Sequence, residues 1–209
     1  MIIKNKKELE VLLSNVPRFP KPKQFLEQYV CDSRIASEVM WHAYISGDIK
    51  DKIVADFGCG TGLFAYAAYL LGSREVMCID IDCEALSTAK SFLDSKNAFN
   101  INYLCSDVEL LNLRGVDTVV MNPPFGVYKR GIDMVFLESA LKIKPAAIYT
   151  IHKYSHKLLN IVENKLKLYG DAFKMLPLFL DMMIIHATYV HHRRNVYRFP
   201  IVALKIVRV

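Results

Sequence analysis

The sequence predicts an α/β fold: a seven-stranded, mostly parallel sheet with helices on both faces and an antiparallel hairpin at the C-terminus. Three observations predict it. Apolar runs of strand length alternate with stretches of helical period from residue 52 to 168, and such alternation marks a parallel sheet covered on both sides. The chain then ends in two β runs, about Ala172–Met183 and Phe199–Val209, with no helix between them. Two consecutive strands without a crossover helix pair as a hairpin. Finally, 53% of the 209 residues are hydrophobic, enough to bury one substantial core and too many for a disordered chain.

The elements follow in order. Asn5 is placed to cap a helix over residues 5–14, with Leu9, Leu12 and Leu13 on its apolar side. Pro17, Pro20 and Pro22 stiffen a connector to Lys23–Tyr29. Asp32 caps a helix over Ser33–Ser46, apolar at Ile35, Val39, Ala43 and at Trp41 or Ile45, and Gly47 ends it. Strands are expected at Lys52–Asp56, Glu75–Asp80, Ile101–Cys105, Val116–Met121 and Ala146–His152. Helices are expected at Thr61–Leu71, Asp82–Lys96, Asp133–Lys142 and Ser155–Leu168, with Asp82 as an N-cap. The whole chain, 1–209, reads as one domain, with 1–47 as a helical cap and 48–209 as the core.

Composition excludes several classes. No apolar run reaches the ~18 residues of a membrane span, and Met1–Glu8 turns polar too soon for a signal peptide. A cytoplasmic location is the expectation. The five cysteines, at 31, 59, 78, 83 and 105, form no CxxC pair. Their odd number and scatter predict reduced thiols, with neither a disulfide framework nor a metal site. Charge is uneven. Residues 1–128 carry 13 Lys and Arg against 16 Asp and Glu, and residues 129–209 carry 14 against 5. A basic second half suits a polyanionic partner.

Asp56-Phe57-Gly58-Cys59-Gly60-Thr61-Gly62 joins a strand to a helix. Glycines there let backbone approach a ligand closely. The spacing differs from the dinucleotide pattern, and a carboxylate precedes it, which a diphosphate would not welcome. Asp80 ends the next strand, where α/β folds hold ribose hydroxyls. Asp107 follows the third strand, placed to accept from an exocyclic amine. Asn122-Pro123-Pro124-Phe125-Gly126 follows the fourth. The prolines remove two N–H donors and hold the chain extended, the Asn offers an amide oxygen, and the Phe offers a flat face. That set grips a planar, NH₂-bearing group. S-adenosylmethionine fits as cofactor: adenine, ribose, a positive sulfur and no phosphate. The candidate cofactor residues are Asp56, Gly58, Cys59, Gly60, Gly62, Asp80, Ile81, Asp107, Val108 and Asn122. The candidate catalytic residues are Asn122, Pro123, Pro124 and Phe125. Gly126–Gly131 reads as a glycine-bracketed loop. Lys129, Arg130, Lys153, His156, Lys157, Arg193 and Arg194 are candidate phosphate contacts.

These motifs resemble those of class I methyltransferases that modify amino groups. With Lys21-Pro22-Lys23, Leu26-Glu27-Gln28-Tyr29, Asp80-Ile81-Asp82, Gly131-Ile132-Asp133-Met134 and Ile151-His152-Lys153, the chain is similar to the methyltransferase-like-five family, small cytoplasmic rRNA adenine-N6 methyltransferases. The resemblance implies a Rossmann-like methyltransferase sheet and ribosomal RNA of the small subunit as substrate. It implies that Gln28 closes over the methionine end of the cofactor, that Gly58 and Gly60 pack beneath it, and that Asp80 and Asp107 hold ribose and adenine. It implies that Asn122 and Pro123 grip the target amine while Phe125 stacks on the base. It further implies a small zinc-ribbon activator protein, for which Ile101–Cys105, an edge strand in the usual methyltransferase order, is the expected docking site. Val30-Cys31 stands where the family usually has Pro-Thr. Guanine N2, DNA adenine, a protein glutamine, or non-catalytic RNA binding are the alternative readings.

Overall fold

In the computed structural model, residues 3–186 and 196–209 are described. Seven strands form one sheet: β1 (Ile53–Phe57), β2 (Glu75–Asp80), β3 (Ile101–Cys105), β4 (Thr118–Met121), β5 (Ala147–Lys153), β6 (Phe173–His186) and β7 (Val196–Arg208). Their spatial order is β3-β2-β1-β4-β5-β7-β6. The first five run parallel, and β7 lies antiparallel to both β5 and β6. The expected fold class is the observed one.

Alternation along the strands explains the two layers. Val54, Val76, Cys78, Val120 and Tyr149 face one core, and Ala55, Phe57, Ile79, Val119 and Ile148 face the other. The first core is covered by α1 (Lys6–Leu13), α2 (Ser33–Ile45), α3 (Leu63–Leu70) and α4 (Cys83–Ser95), and the second by α5 (Ile132–Lys142) and α6 (Leu158–Lys167). The expected caps form: Asn5 accepts from Glu8 N–H, Asp32 from Arg34 N–H and Asp82 from Glu84 N–H. Gly62, at φ +92°, precedes α3. A Cβ there would lie 3.0 Å from Leu93 Cδ1 and 3.2 Å from Ala89 Cβ, so glycine lets α3 pack close to α4.

The hairpin is longer than its apolar runs suggest. Pairing of β6 with β7 continues from Met183↔Phe199 to His186↔Val196, with a register shift between Pro177 and Phe179. Proline cannot donate to a ladder, so an irregularity falls there.

One expectation fails. Cys83 and Cys105 form a disulfide, with Cα atoms 5.3 Å apart, while Cys31, Cys59 and Cys78 are free. The parallel register sets Cys105 beside Asp80, and α4 begins three residues after Asp80, so the two cysteines meet. That proximity depends on strand register, which cysteine spacing does not reveal. Among the described residues no helix is long and apolar enough to cross a membrane, and no His, Cys, Asp or Glu group is arranged to hold a metal.

Candidate active site

The sheet reverses direction of growth between β1 and β4, and a ligand crevice lies beyond the carboxyl ends of strands at such a point. A cavity of about 230 Å³ opens there. Gln28, Gly58, Cys59, Gly60, Asp80, Ile81, Asp107, Val108 and Asn122 line it, as do Pro124 and Lys129. Residues from the ends of four strands and from the proline-flanked connector therefore converge; of the candidate catalytic residues Asn122 and Pro124 line the cavity, and Pro123 and Phe125 do not.

Two of the candidate cofactor residues sit elsewhere. Asp56 and Gly62 do not line the cavity. Asp56 is fully buried, and its Oδ2 accepts from Ala65 N–H at 2.9 Å in the first turn of α3. Burial pushes its carboxyl up to about 8, and Oδ1 has no partner. Burial thus favours its uncharged form, and the bond to Ala65 ties the end of β1 to the start of α3.

The glycine loop is wrapped over β2. Gly58 N–H and Cys59 N–H both donate to Ile79 O, at 2.9 and 3.0 Å. Gly60 N–H donates to Asp80 Oδ2 at 2.8 Å, and Asp82 N–H donates to Asp80 Oδ1 at 2.8 Å. Burial raises the Asp80 carboxyl, and these N–H bonds oppose the rise. A Cβ on Gly60 would lie 2.7 Å from Phe19 Cζ, and one on Gly58 3.0 Å from Phe136 Cε1. Both glycines also have positive φ, so backbone alone can fill these positions.

Asp107 caps a short 3-10 turn, accepting from Glu109 N–H at 3.0 Å, and borders the cavity. Cys31 is a buried thiol in the cavity wall, and desolvation raises its pKa. Asn122 lines the cavity, and its buried Oδ1 has no hydrogen-bond partner. An uncompensated buried acceptor is costly, so it marks a place where a donor belongs.

The connector contributes more than its sequence revealed. Gln28 is buried; its Nε2 donates to Asp82 Oδ2 and its Oε1 accepts from Lys23 N–H, both at 2.7 Å. Lys23 Nζ lies 2.7 Å from Asp82 Oδ1 and 3.0 Å from Glu84 Oε2. Burial raises the Asp82 carboxyl, but the bonds from Lys23, Gln28 and Glu84 outweigh it and leave it below the usual carboxylate range. Glu27 reaches the opposite wall. It accepts from Phe125 N–H at 2.8 Å, Val127 N–H at 2.7 Å and Tyr128 N–H at 3.1 Å. Tyr29 stacks on Phe125, with centroids 5.7 Å apart, and Phe199 meets Phe125 edge-on at 5.1 Å. One face of the expected base-stacking ring is thus already covered. The Leu-Glu-Gln-Tyr string was the only signal for Glu27 and Tyr29, and it carries no spacing from which these contacts follow.

The basic candidates separate. Lys129 borders the cavity with Nζ 3.6 Å from Glu109 Oε1. Arg130, His156 and Lys157 are exposed. Lys153 is exposed with its Nζ 5.6 Å from the Phe199 ring centre. Arg193 and Arg194 lie outside the described residues. His152 is fully buried, its Nδ1 3.1 Å from Asp133 Oδ2 and its Nε2 3.0 Å from Thr150 Oγ1.

Of the described lining residues only Lys129 is basic. A phosphate-rich ligand would lack cations there, whereas carboxylates, a glycine floor and aromatic walls suit a hydroxyl-bearing, cationic nucleoside. Fold and pocket together define a methyltransferase that uses S-adenosylmethionine.

Comparison with known proteins gives the family. The methyltransferase small domain model matches residues 35–143. The chain is 37% identical over 154 residues to the rRNA N(6)-adenosine-methyltransferase METTL5 of Danio rerio, covering 71% of this chain and 74% of that one. It is 35% identical over 214 residues to an uncharacterised protein of Methanocaldococcus jannaschii, covering 96% and 93%. The crystal structure of PH1948 from Pyrococcus horikoshii, described there as a candidate RNA methyltransferase, superposes over 100% of both chains with a TM-score of 0.89 at 35% identity. This chain belongs to the METTL5 family.

Proposed function

We propose that the protein methylates the N6 amine of an adenine in small-subunit ribosomal RNA. The observation that carries this reading is the unpartnered, buried Oδ1 of Asn122 in the cavity wall. An aromatic amine is a poor nucleophile because its lone pair is delocalised into the ring. Asn122 Oδ1 and the Pro123 carbonyl accept hydrogen bonds from its two N–H groups and turn its lone pair toward the methyl donor, and the proton displaced as the N–C bond forms leaves to solvent. Pro124, which can donate no N–H, keeps the segment extended. Asp80 holds the ribose hydroxyls, Asp107 the adenine amine, and Ile81 and Val108 flank the ring. Gly58, Cys59 and Gly60 form the floor, and Gln28 closes the wall. When bound, S-adenosylmethionine supplies an electrophilic methyl group on a sulfonium. The residues supply position and oriented dipoles rather than a strong base.

Phe125, half-buried between Tyr29 and Phe199, supports recognition of a flat base beside the cavity. Exposed Arg130, Lys153, His156 and Lys157 supply phosphate contacts, and Arg193 and Arg194 are assigned the same task. The names of the animal relatives support ribosomal RNA as the class of substrate. The chain acts as one unit, 1–47 capping the core 48–209, in the cytoplasm. Incubation with labelled cofactor and separate rRNA, DNA and protein fractions tests the assignment. Label confined to rRNA supports it, and label in DNA or protein overturns it.

A small zinc-ribbon activator is proposed to extend the sheet at β3. Its edge position, the short strand and the exposed Leu104 and Phe99 beside it support this. Leu104→Lys is expected to abolish co-purification with such an activator while preserving cofactor binding. Surviving co-purification would exclude this edge.

A further inference from the structure

We propose that Glu27 is the positioning residue that holds the target-gripping loop in its working shape. This rests on the methyl-transfer reading above. The carboxylate takes three backbone N–H groups from four consecutive residues, Phe125 on Oε2 and Val127 and Tyr128 on Oε1. These residues follow directly on Asn122-Pro123-Pro124. Neither proline has an N–H, so the first backbone amide after Asn122 by which the segment can be anchored is that of Phe125.

Glu27 adopts φ +52°, a left-handed conformation uncommon outside glycine. It ends the short 3-10 turn Gln24–Leu26 there, its N–H donating to Gln24 O at 2.9 Å. The conformation sends Glu27 to the target side while the next residue, Gln28, reaches Asp82 on the cofactor side. The clamp therefore stands on a fixed base. The loop has no equivalent support within itself. Gly126 and Gly131 both have positive φ, and Val127 and Tyr128 project into solvent. Without the carboxylate, the loop amides must turn to water and the segment bearing Asn122 loses its register.

The chemistry separates positioning from simple space-filling. A glutamine matches the shape of Glu27 but offers one oxygen and an NH₂ group, and the latter faces donors. It cannot accept all three bonds. The test compares wild type, Glu27→Ala and Glu27→Gln in the full chain. It reads methyl transfer to RNA, cofactor affinity, melting temperature and amide exchange over residues 125–129. Both variants are expected to lose turnover by about 10²-fold, the size of effect that slight misplacement of reacting groups produces. Cofactor affinity is expected to hold, melting temperature to fall with the lost bonds, and exchange across Phe125–Tyr128 to quicken. Wild-type turnover in Glu27→Ala, full rescue by Glu27→Gln, or unchanged exchange would overturn the proposal. If wild-type protein transfers no methyl group to RNA, the functional reading falls instead. The exchange comparison then still decides whether Glu27 holds the loop.

Discussion

Gln28 and Asp82, 54 positions apart in sequence, meet at 2.7 Å from Nε2 to Oδ2. The contact pins the N-terminal connector to the head of α4, directly beside Asp80. The carboxylate is shared with Lys23 and with the first turn of α4, so the connector, the helix cap and the second strand end form one assembly.

Gln28→Ala is expected to destabilise the protein by about 1.5–3 kcal/mol, the range for a hydrogen bond to a charged group. Cofactor affinity should fall with it, because Gln28 lines the cavity. Denaturant unfolding and calorimetry on the same preparation check this. Unchanged stability would show that Lys23 and the Glu84 N–H suffice to hold Asp82.

Asp56 predicts a pH dependence. Its folded carboxyl is pushed up to about 8 by burial, above the unfolded value of about 3.9. A raised value means that its contribution to stability is fully present below about pH 4 and is lost as pH rises toward about 8. Where only this group differs, each pH unit in that window costs about 1.4 kcal/mol. Asp80 is raised too and acts in the same direction. Asp56→Asn retains an oxygen for Ala65 N–H and cannot ionise. Its stability is expected to fall less between pH 5 and 8 than that of wild type. Parallel stability curves would contradict the neutral form of Asp56.

The Cys83–Cys105 disulfide closes a loop of 22 residues in separation. Chain-entropy arguments give such a cross-link about 3 kcal/mol, mainly by restricting the unfolded state. Cys105→Ser is expected to lower the unfolding free energy by that order, and reductant should do the same to wild type only. Equal stability with and without reductant would contradict it.

Much of the architecture was legible because apolar runs and caps are local signals. Lys52–Asp56, Glu75–Asp80 and Ile101–Cys105 read as strands from composition alone, and Asp32 and Asp82 as caps from position. Asp80 and Asn122 could be placed at the site because strand ends in a parallel sheet share an edge. The remainder was set by tertiary contact. The hairpin extends to His186 because β7 supplies partners, not because its own residues change. Cys83 meets Cys105 through strand register. Asp56 looked like a cofactor ligand beside the glycines, yet its side chain turns beneath them to α3. Glu27 acts through an unusual backbone conformation that no periodicity announces.

In the proposed mechanism Asn122 presents an adenine amine for methylation. Its direct test is base-resolved mapping of label on unmodified small-subunit rRNA, with wild type and Asn122→Ala in parallel. Wild type is expected to yield N6-methyladenosine. Asn122→Ala should yield essentially none while binding cofactor as wild type does, since the acceptor oxygen acts on the target. Label at guanine N2, or wild-type turnover by Asn122→Ala, would contradict the account.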